Sequence, residues 1–377
     1  MKSLRTGLLA ALSFAAVLAH AETGVTDSEI LIGQSAALSG PAGELGKGVN
    51  RGAKAYFDWV NQHGGVNGRK IKLVALDDGY EPDRTAANTQ KLIKDQGVFA
   101  LFGYVGTPTS NAALPLINQT GIPFVAPFTG AEGLRTPVNR NVFNIRASYH
   151  DEAEEIADSM KKMGMQSINV FYQNDAYGQA GLKAMQEAAA KNGIKINATA
   201  TVQRNSSDVK KAVDELVVKK PASAVFMVTA YTSSAAFITA ARAQNFIGPF
   251  YNVSFVGTEA LINALKHDGS GVIVSQVMPS PYNPIKPVTI DYVKALKAAG
   301  VDTVDYPSLE GYIGARVLVE GLKRSGKALT REKLISSMEE LRDYDLGGFR
   351  VKFSSGNHEG SSFVDLIVID KDGHVHS

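Results

Sequence analysis

The chain has 377 residues, of which 44% are hydrophobic and 20% are charged, so it has enough apolar material for two domains of ordinary size. The 39 basic and 37 acidic residues leave a formal charge of +2, which gives no support for nucleic-acid binding. The absence of cysteine excludes thiol catalysis, cysteine-bound zinc, iron–sulfur clusters and disulfides.

The first 21 residues have the composition of a secretory signal peptide. Lys2 and Arg5 precede an apolar run from Leu8 to Leu18, and Ala19-His20-Ala21 is a small-x-small cleavage motif. The run is too short to span about 30 Å of hydrocarbon comfortably. We expect cleavage after Ala21, which removes Lys2 and Arg5 and leaves an exported chain without formal charge.

Strand and helix signals alternate along the rest of the chain. The first series predicts strands at Glu29–Gln34, Lys70–Leu76, Val98–Phe102 and Ile122–Ala126, with helices at Gly48–Asn61, from the loop Asp77–Asp83 to Asp95, and at Thr109–Gln119. After a junction near Ser148, the second series predicts helices at Ile156–Met163, Gln179–Asn192, Asp208–Lys219, Ser233–Gln244 and Glu259–Lys266. Its strands are predicted at Ser167–Tyr172, Ile194–Val202, Ala224–Thr229, Tyr251–Phe255 and Gly271–Met278. This alternation predicts parallel sheets with helices on both faces.

The last quarter of the chain begins with a rigid crossing. Pro279–Pro287 contains four prolines, which predicts an extended segment between two lobes. Helices are then predicted at Ile290–Ala299, Ser308–Arg324 and Thr330–Leu341, followed by strands at Phe349–Phe353 and Phe363–Ile369. The predicted fold class is α/β with two sheets.

No motif for catalysis or for a resident metal ion stands out. The run Gly43–Gly48 suggests a phosphate-binding loop, but Pro41 and Gly48 stand where that motif needs a glycine and a hydroxyl residue. His374 and His376 could bind a metal in principle, although a frayed terminus is the simpler interpretation. We predict that the chain is not an enzyme and uses no cofactor or metal.

Four predicted strands end in loops of small, hydroxyl and aromatic residues. These loops are Gly106–Ser110, Pro127–Gly130, Asp175–Gly178 and Ala230–Ser233. Ligands of open α/β sheets sit beyond the carboxyl ends of the strands, where helix N-termini favour an anion. Each loop alone fits ordinary helix capping, whereas four together favour a cleft for a small molecule.

Individual residues of these loops have predicted roles. Thr107 is expected to be a helix N-cap, with Pro108 as the first helical residue. Thr107 and Thr129 are expected to hold a carboxylate at helix starts. Tyr177 and Tyr231 offer an apolar face with a polar tip.

Several short motifs, in their order and spacing, resemble the leucine/isoleucine/valine-type periplasmic substrate-binding proteins of ABC transporters. They are Ile32-Gly33, Leu38–Pro41, Gly64–Arg69, Asp77-Asp78 with Pro82, Gly121–Pro123 with Pro127, and Tyr177-Gly178. The resemblance covers nearly the whole chain after residue 21. It implies a type I periplasmic binding protein fold, in which two Rossmann-like lobes are joined by three crossing segments and enclose the ligand. We expect a signal peptide at 1–21, an N-terminal lobe at 22–147 plus 279–364, and a C-terminal lobe at 148–278 plus 365–377.

The resemblance also implies a set of ligand-binding residues. These are Leu45, Tyr80, Thr107, Phe128, Thr129, Gly130, Tyr177, Tyr231 and Ser254. Carboxylate binding falls on Thr107 and on the loop that carries Thr129, and the aromatic walls fall on Tyr177 and Tyr231. Some relatives also carry a disulfide at the positions of Tyr80 and Gly106, which this chain lacks.

Ser254 departs from the pattern of the amino-acid-binding relatives. They have an acidic residue there that pairs with the ligand amine, and a buried ammonium without a partner is unfavourable. Either Asp78, Glu81 or Glu259 replaces that acid, or the ligand lacks an α-amine.

The resemblance implies a periplasmic receptor that closes its lobes on a small carboxylate and delivers it to ABC permease subunits. The leading expectation for the ligand is a branched-chain or related amino acid. The alternatives are an aromatic or aliphatic carboxylate without the amine, and a sensory ligand-binding domain that feeds a partner receptor. We expect a monomer that binds no nucleic acid.

Overall fold

The structure is a computed structural model that describes residues 22–266 and 269–376. The expected signal peptide lies outside the described residues. Among the residues that are described, no helix has both the length and the apolar character needed to cross a bilayer.

The first sheet has five parallel strands in the spatial order 2-1-3-4-5. They are β1 (Glu29–Ala36), β2 (Lys70–Asp77), β3 (Ala100–Phe102), β4 (Phe124–Val125) and β5 (Val142–Phe143). Helices α1 (Gly43–Gln62), α2 (Pro82–Gln90) and α3 (Thr107–Thr120) connect the first four strands. Because β2 and β3 lie on opposite sides of β1, the loops after β1 and β3 diverge and leave a crevice at the carboxyl edge.

The second sheet contains five adjacent parallel strands, in the spatial order 10-9-8-6-7. These strands are β6 (Ser167–Gln173), β7 (Lys195–Val202), β8 (Ala224–Val228), β9 (Phe250–Asn252) and β10 (Val272–Gln276). The associated helices are α4 (Tyr149–Lys162), α5 (Ala176–Asn192), α6 (Lys210–Val213), α7 (Tyr231–Ala243) and α8 (Thr258–Leu265). A capping box between Ser148 and Asp151 fixes the start of α4.

The rest of the chain completes both sides of the molecule. Helices α9 (Pro287–Ala298) and α10 (Tyr306–Arg324) pack against α1, and α11 (Arg331–Glu339) packs against α10. Strands β11 (Tyr344–Asp345) and β12 (Arg350–Val351) form a small separate sheet. Strand β13 (Asp365–Ile369) then pairs antiparallel with β10, and β14 (Val375–His376) pairs with β13.

The chain therefore crosses between the two sheets three times: after β5, after β10 and before β13. We call the β1–β5 sheet with α1–α3 and α9–α11 the first lobe, and the β6–β10 sheet with α4–α8 and β13–β14 the second lobe. The α/β fold with two Rossmann-like lobes is confirmed. The exact residue bounds of the two lobes remain a prediction.

Several helices begin earlier than predicted. Helix α1 begins at Gly43 instead of Gly48. Gly46 lies inside this helix because a Cβ there would lie 2.0 Å from the carbonyl oxygen of Ala37. The glycines that weakened the helix signal are therefore required for close packing of α1 on the preceding loop. Residues predicted as loop, including Tyr177 and Tyr231, consequently lie in first helical turns.

Candidate functional site

The predicted ligand residues of both lobes meet at the carboxyl edges of the two sheets. Leu45, Tyr80, Thr107, Phe128, Thr129, Tyr177 and Ser254 are all buried, with exposed fractions of 7% or less. Tyr231 is half-buried. The lobes are in contact, so the structure represents a closed cleft.

Two threonine hydroxyls form a pair on the first lobe. Thr107 Oγ1 lies 2.7 Å from Thr129 Oγ1, and Thr129 Oγ1 lies 3.2 Å from the hydroxyl of Tyr149 at the start of α4. The pairing brings together two residues that the sequence had assigned to the same function.

The predicted position at a helix start is right for Thr107 and wrong for Thr129, and the predicted N-cap role of Thr107 is wrong. Thr107 is the first residue of α3, and the N-cap is Gly106, whose φ of 103° favours glycine. Thr129 does not begin a helix, because only a 3-10 turn over Glu132–Leu134 follows it. The Thr107 hydroxyl makes no capping hydrogen bond, and its partner is the Thr129 hydroxyl.

Aromatic rings from both lobes line the closed cleft. The Phe255 ring contacts those of Tyr177, Phe128 and Tyr80, with centroid distances of 4.6, 5.6 and 5.7 Å. The rings of Tyr149 and Tyr177 are 5.4 Å apart. Tyr149 and Phe255 were not predicted as site residues. Phe255 follows Ser254 directly, whereas no sequence signal singled out Tyr149.

The hydroxyl of Tyr177 is buried and has no hydrogen-bond partner within the described chain. Burial raises its pKa well above the usual range for tyrosine, so it remains a neutral O–H donor. The Tyr80 hydroxyl, by contrast, accepts a hydrogen bond from Gln173 Nε2 at 3.1 Å. Tyr80 keeps its own O–H, but Tyr177 is the tyrosine of this pair whose hydroxyl has no partner in the described chain.

The other predicted residues have packing contacts in the closed form. A Cβ on Gly130 would lie 2.6 Å from the Tyr149 backbone nitrogen, so glycine permits the close approach of this loop to α4. Leu45 lies against Gly257 of the second lobe. The Tyr231 hydroxyl accepts a long hydrogen bond of 3.5 Å from the Glu44 backbone nitrogen. Leu45 and Tyr231 thus hold the lobes together beside the cleft.

Ser254 contacts a carboxylate that was not among the predicted acids. Its backbone nitrogen donates to Glu152 Oε2 at 2.7 Å, and its hydroxyl donates to Glu152 Oε1 at 3.0 Å. Ser275 Oγ also donates to Glu152, at 2.5 Å. These bonds use the acceptor sites of Glu152 within the protein.

Asp78, Glu81 and Glu259, the three acids named as possible replacements, have other partners than Ser254, and the choice between a replacement acid and an amine-free ligand stays a prediction. Asp78 accepts hydrogen bonds from Ser35 and Thr85 behind the first sheet edge. Glu81 pairs with Arg204, and Glu259 lies beside the Tyr306 backbone nitrogen. Because each is engaged elsewhere, no contact of these three side chains with Ser254 exists.

A buried arginine takes the place next to Ser254. Arg146 lies in the segment that crosses from β5 to α4, and its Nη2 donates to Ser254 Oγ. It lies 3.3 Å from Glu152 and 3.6 Å from Glu310, and its guanidinium is 5.0 Å from the centroid of the Phe128 ring. Its Nε and Nη1 have no hydrogen-bond partner in the described chain. Arg146 was missed because its spacing from Ser254 and Glu310 in the sequence gives no sign of contact.

A polar network joins the lobes at the mouth of the cleft. Arg204 of the second lobe pairs with Glu81 of the first lobe at 2.7 Å and with Asp175 at 3.1 Å. Asn205 Nδ2 donates to Glu81 Oε1 at 2.7 Å and to the Gly79 carbonyl at 3.1 Å. We call these five residues the Arg204 network, and it stabilises the closed form.

The two C-terminal histidines lie in an exposed hairpin. His376 Nε2 is 2.8 Å from Asp370 Oδ2, and one ligand atom each of Asp370, Asp372 and His374 lies within 4.8 Å of the others. These groups pair with one another at the surface, so the cluster alone does not identify a metal site. His376 belongs to β14, and the simpler interpretation of a frayed terminus was wrong for this residue.

Comparison with known proteins identifies the family. The sequence profile of the periplasmic binding protein family matches residues 29–374. The chain belongs to the periplasmic binding protein family. A family relative, the Leu/Ile/Val-binding protein homolog 3 of Brucella melitensis biotype 1, is 25% identical over 325 residues, which cover 85% of each chain.

Two solved structures illustrate the likeness in fold to other proteins. A possible leucine/isoleucine/valine-binding protein from Rhodopirellula baltica SH 1 has a TM-score of 0.87 and 34% identity, over 93% of this chain and 97% of that one. A solute-binding protein of an ABC transporter from R. palustris, solved with benzoate, has a TM-score of 0.82 and 21% identity, over 93% and 95% of the two chains. This periplasmic binding protein is therefore a solute-binding protein of the leucine/isoleucine/valine type. Members of this type are exported to the periplasm and work with ABC transporter permeases.

Proposed function

We propose that this chain captures a small carboxylate without an α-amine and delivers it to an ABC permease. The observation that carries the proposal is the contact of Ser254 with the Arg146 guanidinium, at a position where the family resemblance implies an acidic partner for a ligand amine. An ammonium group at this position would lie beside the Arg146 guanidinium, and the two carboxylates near it, Glu152 and Glu310, already pair with that cation. Glu152, the nearest carboxylate, already accepts hydrogen bonds from Ser254 and Ser275.

The unpartnered polar atoms of the cleft also favour an anion. The Tyr177 hydroxyl and Arg146 Nη1 are donors without a hydrogen-bond partner, and a buried unpaired donor is unfavourable. Thr129 donates to the Tyr149 hydroxyl, so Thr107 donates to Thr129, and a ligand carboxylate receives the Thr107 O–H in exchange for that bond. We assign the carboxylate of the ligand to these hydroxyl donors and to Arg146 Nη1, and its apolar part to the rings of Phe128 and Phe255.

The proposed mechanism is capture by lobe closure. Ligand that contacts both Thr107 of the first lobe and Tyr177 of the second has a higher affinity for the closed form, so it shifts the population toward closure. No bond of the ligand is made or broken. The R. palustris structure with benzoate offers a precedent for an amine-free carboxylate in this fold.

A branched-chain amino acid is the second candidate. The Brucella melitensis relative is named a Leu/Ile/Val-binding protein homolog, and the Rhodopirellula baltica structure bears a similar name. The two candidates differ in one functional group, so a matched pair of ligands separates them.

The deciding experiment compares leucine with 4-methylpentanoate, which has the same carbon skeleton without the amine. Thermal shift measurements and calorimetry are made on both compounds, with isoleucine and benzoate as further probes. We expect 4-methylpentanoate or benzoate to raise the melting temperature, since ligand that binds only the folded state stabilises it. Sub-micromolar binding of leucine, with no binding of either amine-free acid, would refute the proposal.

Processing and assembly are separate proposals. We propose that the exported chain begins at Glu22, after cleavage behind Ala21, and that it is a monomer. Mass spectrometry of the secreted protein tests the first statement, and light scattering during size-exclusion chromatography tests the second. A mature N-terminus at another residue, or a mass near twice that of one chain, would contradict them.

A further inference from the structure

Three charged groups from three different parts of the chain meet beside the cleft. Arg146 lies in a crossing segment, Glu152 in α4 of the second lobe and Glu310 in α10 of the first lobe. The guanidinium lies 3.3 Å from the Glu152 carboxylate and 3.6 Å from that of Glu310. All three side chains are buried, with exposed fractions of 9% or less. The single positive charge of Arg146 is thus shared between the carboxylates of Glu152 and Glu310 in surroundings of low polarity.

The two carboxylates are not equivalent. If both were ionised, the cluster would carry one excess negative charge away from water, which is strongly disfavoured. Glu152 accepts hydrogen bonds from the Ser254 nitrogen and from two serine hydroxyls, which stabilise its charged form. Glu310 accepts no hydrogen bond in the described chain. Glu310 is therefore the group that holds a proton most readily.

The electrostatic surroundings of Glu310 agree with this assignment. Burial, with a smaller contribution from Glu152, raises its pKa to about 7 against the opposing effect of Arg146. Arg135 lowers it, but the guanidinium of Arg135 lies near Glu359 and donates to backbone carbonyls. The buried hydroxyls of Tyr149 and Tyr177 stay neutral, because burial raises their pKa.

The helices packed on α10 present charged groups that are engaged elsewhere. Arg51 of α1 pairs with Asp305, and Asp291 of α9 lies 3.6 Å from Arg316. Glu339 of α11 lies 3.4 Å from His358 and 3.8 Å from Arg140. Arg146 and Glu152 thus remain the charged neighbours that respond most directly when a ligand enters.

We propose that Glu310 is a positioning residue of the ligand site that takes up one proton when an anionic ligand binds beside Arg146. The inference rests on the proposed function, since it requires a ligand with net negative charge. A carboxylate drawn to Arg146 adds a second negative charge next to Glu310, and like charges disfavour the ionised form of the residue. The neutral Glu310 carboxyl leaves the guanidinium to Glu152 and the ligand.

The sign of the pH dependence follows from this coupling. The ligand raises the proton affinity of Glu310, so the complex holds the proton to higher pH than the free chain. Below the pKa of the free chain, Glu310 is protonated in both states and affinity is flat. Above that pKa, affinity falls about tenfold per pH unit, until Glu310 also ionises in the complex. A zwitterionic ligand without net charge does not produce this slope.

The test measures proton uptake directly. Calorimetric titrations with benzoate and with 4-methylpentanoate are made between pH 6 and pH 9, each in phosphate and in Tris. These buffers differ in ionisation enthalpy, so the difference in heat gives the number of protons bound. We expect an uptake near one proton at pH 8, and a dissociation constant that rises about tenfold from pH 7.5 to pH 8.5.

Glu310→Gln keeps the shape of the side chain without its titration. We expect this variant to bind at pH 9 about as tightly as at pH 6, with no proton uptake. Glu259→Gln is the matched control, because burial also raises the pKa of Glu259, to about 8, while no ion pair joins it to Arg146. The control should retain proton uptake.

Three outcomes would overturn the inference. Wild-type protein that binds either acid without proton uptake refutes the role of Glu310 and leaves the proposed function intact. Loss of uptake in Glu259→Gln but not in Glu310→Gln assigns the proton to Glu259. Failure of both acids to bind refutes the proposed function and this inference together. If Glu310→Gln does not fold, the wild-type and Glu259→Gln titrations still decide.

Discussion

Removal of the Arg204 side chain tests how much the closed form depends on contacts that the ligand does not make. Arg204 pairs with Glu81 across the mouth of the cleft at 2.7 Å, and its guanidinium lies 5.9 Å from the centroid of the Tyr80 ring. Both partners belong to the first lobe, whereas Arg204 belongs to the second. Arg204→Ala therefore weakens closure while it leaves each lobe folded.

The magnitude follows from the exposure of the pair. The side chains of Arg204 and Glu81 are 22% and 42% exposed, so solvent screens the ion pair, which contributes about 0.2–1 kcal/mol. The contact with the Tyr80 ring adds about 0.5–1 kcal/mol. The variant should therefore lose roughly 0.7–2 kcal/mol of closure free energy, which corresponds to roughly a 3- to 30-fold weaker affinity. The Asn205 contacts with Glu81 and Gly79 remain.

The assay is stopped-flow measurement of ligand dissociation, because interface changes act mainly on the dissociation rate. Arg84→Ala is the matched control, since Arg84 pairs with Asp77 at 3.3 Å inside the first lobe. We expect faster dissociation for Arg204→Ala, an unchanged rate for Arg84→Ala and a similar melting temperature for both ligand-free variants. Equal dissociation rates in wild type and Arg204→Ala would show that this network does not hold the cleft closed.

Three further variants address the site itself. Tyr177→Phe removes a buried hydroxyl that has no hydrogen-bond partner in the described chain. We expect calorimetry to show a binding free energy weaker by about 1.5–3 kcal/mol, and thermal melting to show an equal or higher stability of the ligand-free chain. A lower stability would mean that the hydroxyl has an internal partner. Thr107→Ala should weaken carboxylate binding more than Thr107→Ser, and equal affinities of the two variants would exclude the hydroxyl as a ligand contact. Gly257→Ala places a Cβ 2.4 Å from Leu45 Cδ2 across the cleft, so we expect weaker ligand binding. Gly300→Ala is the control, because Gly300 has a similar positive φ but open space around it, and this variant should lower only the melting temperature. Equal ligand affinities of the two variants would refute the role of the Leu45 contact.

The fold was predictable because its signals are local. Most parallel strands of the two sheets are short apolar runs, β7 alternates polar and apolar residues, and most connecting helices have periodic apolar residues. The errors occurred where packing overrides local preference. Gly46 weakens the helix signal of α1, yet it is needed where α1 meets the Ala37 carbonyl.

The site was only partly predictable, since its charged half depends on distant residues. Thr107, Thr129 and Tyr177 follow strand ends, where the topology of parallel sheets places ligands. Arg146 contacts a serine 108 positions later in the chain, and Glu152 contacts that serine from 102 positions away. A crossing segment that carries an arginine resembles any other exposed loop in the sequence. Only the folded chain brings Arg146, Glu152 and Glu310 together.

The burial of the cleft has a consequence for the timing of delivery. Thr107, Thr129 and Tyr177 are at most 2% exposed, so a molecule held among them has no route to solvent while the lobes touch. Its residence time is then set by the rate at which the Phe255 ring contacts and the Arg204 network separate. A permease that takes up the bound ligand must therefore increase the rate at which the lobes separate. Without the permease, the binding protein releases its ligand slowly.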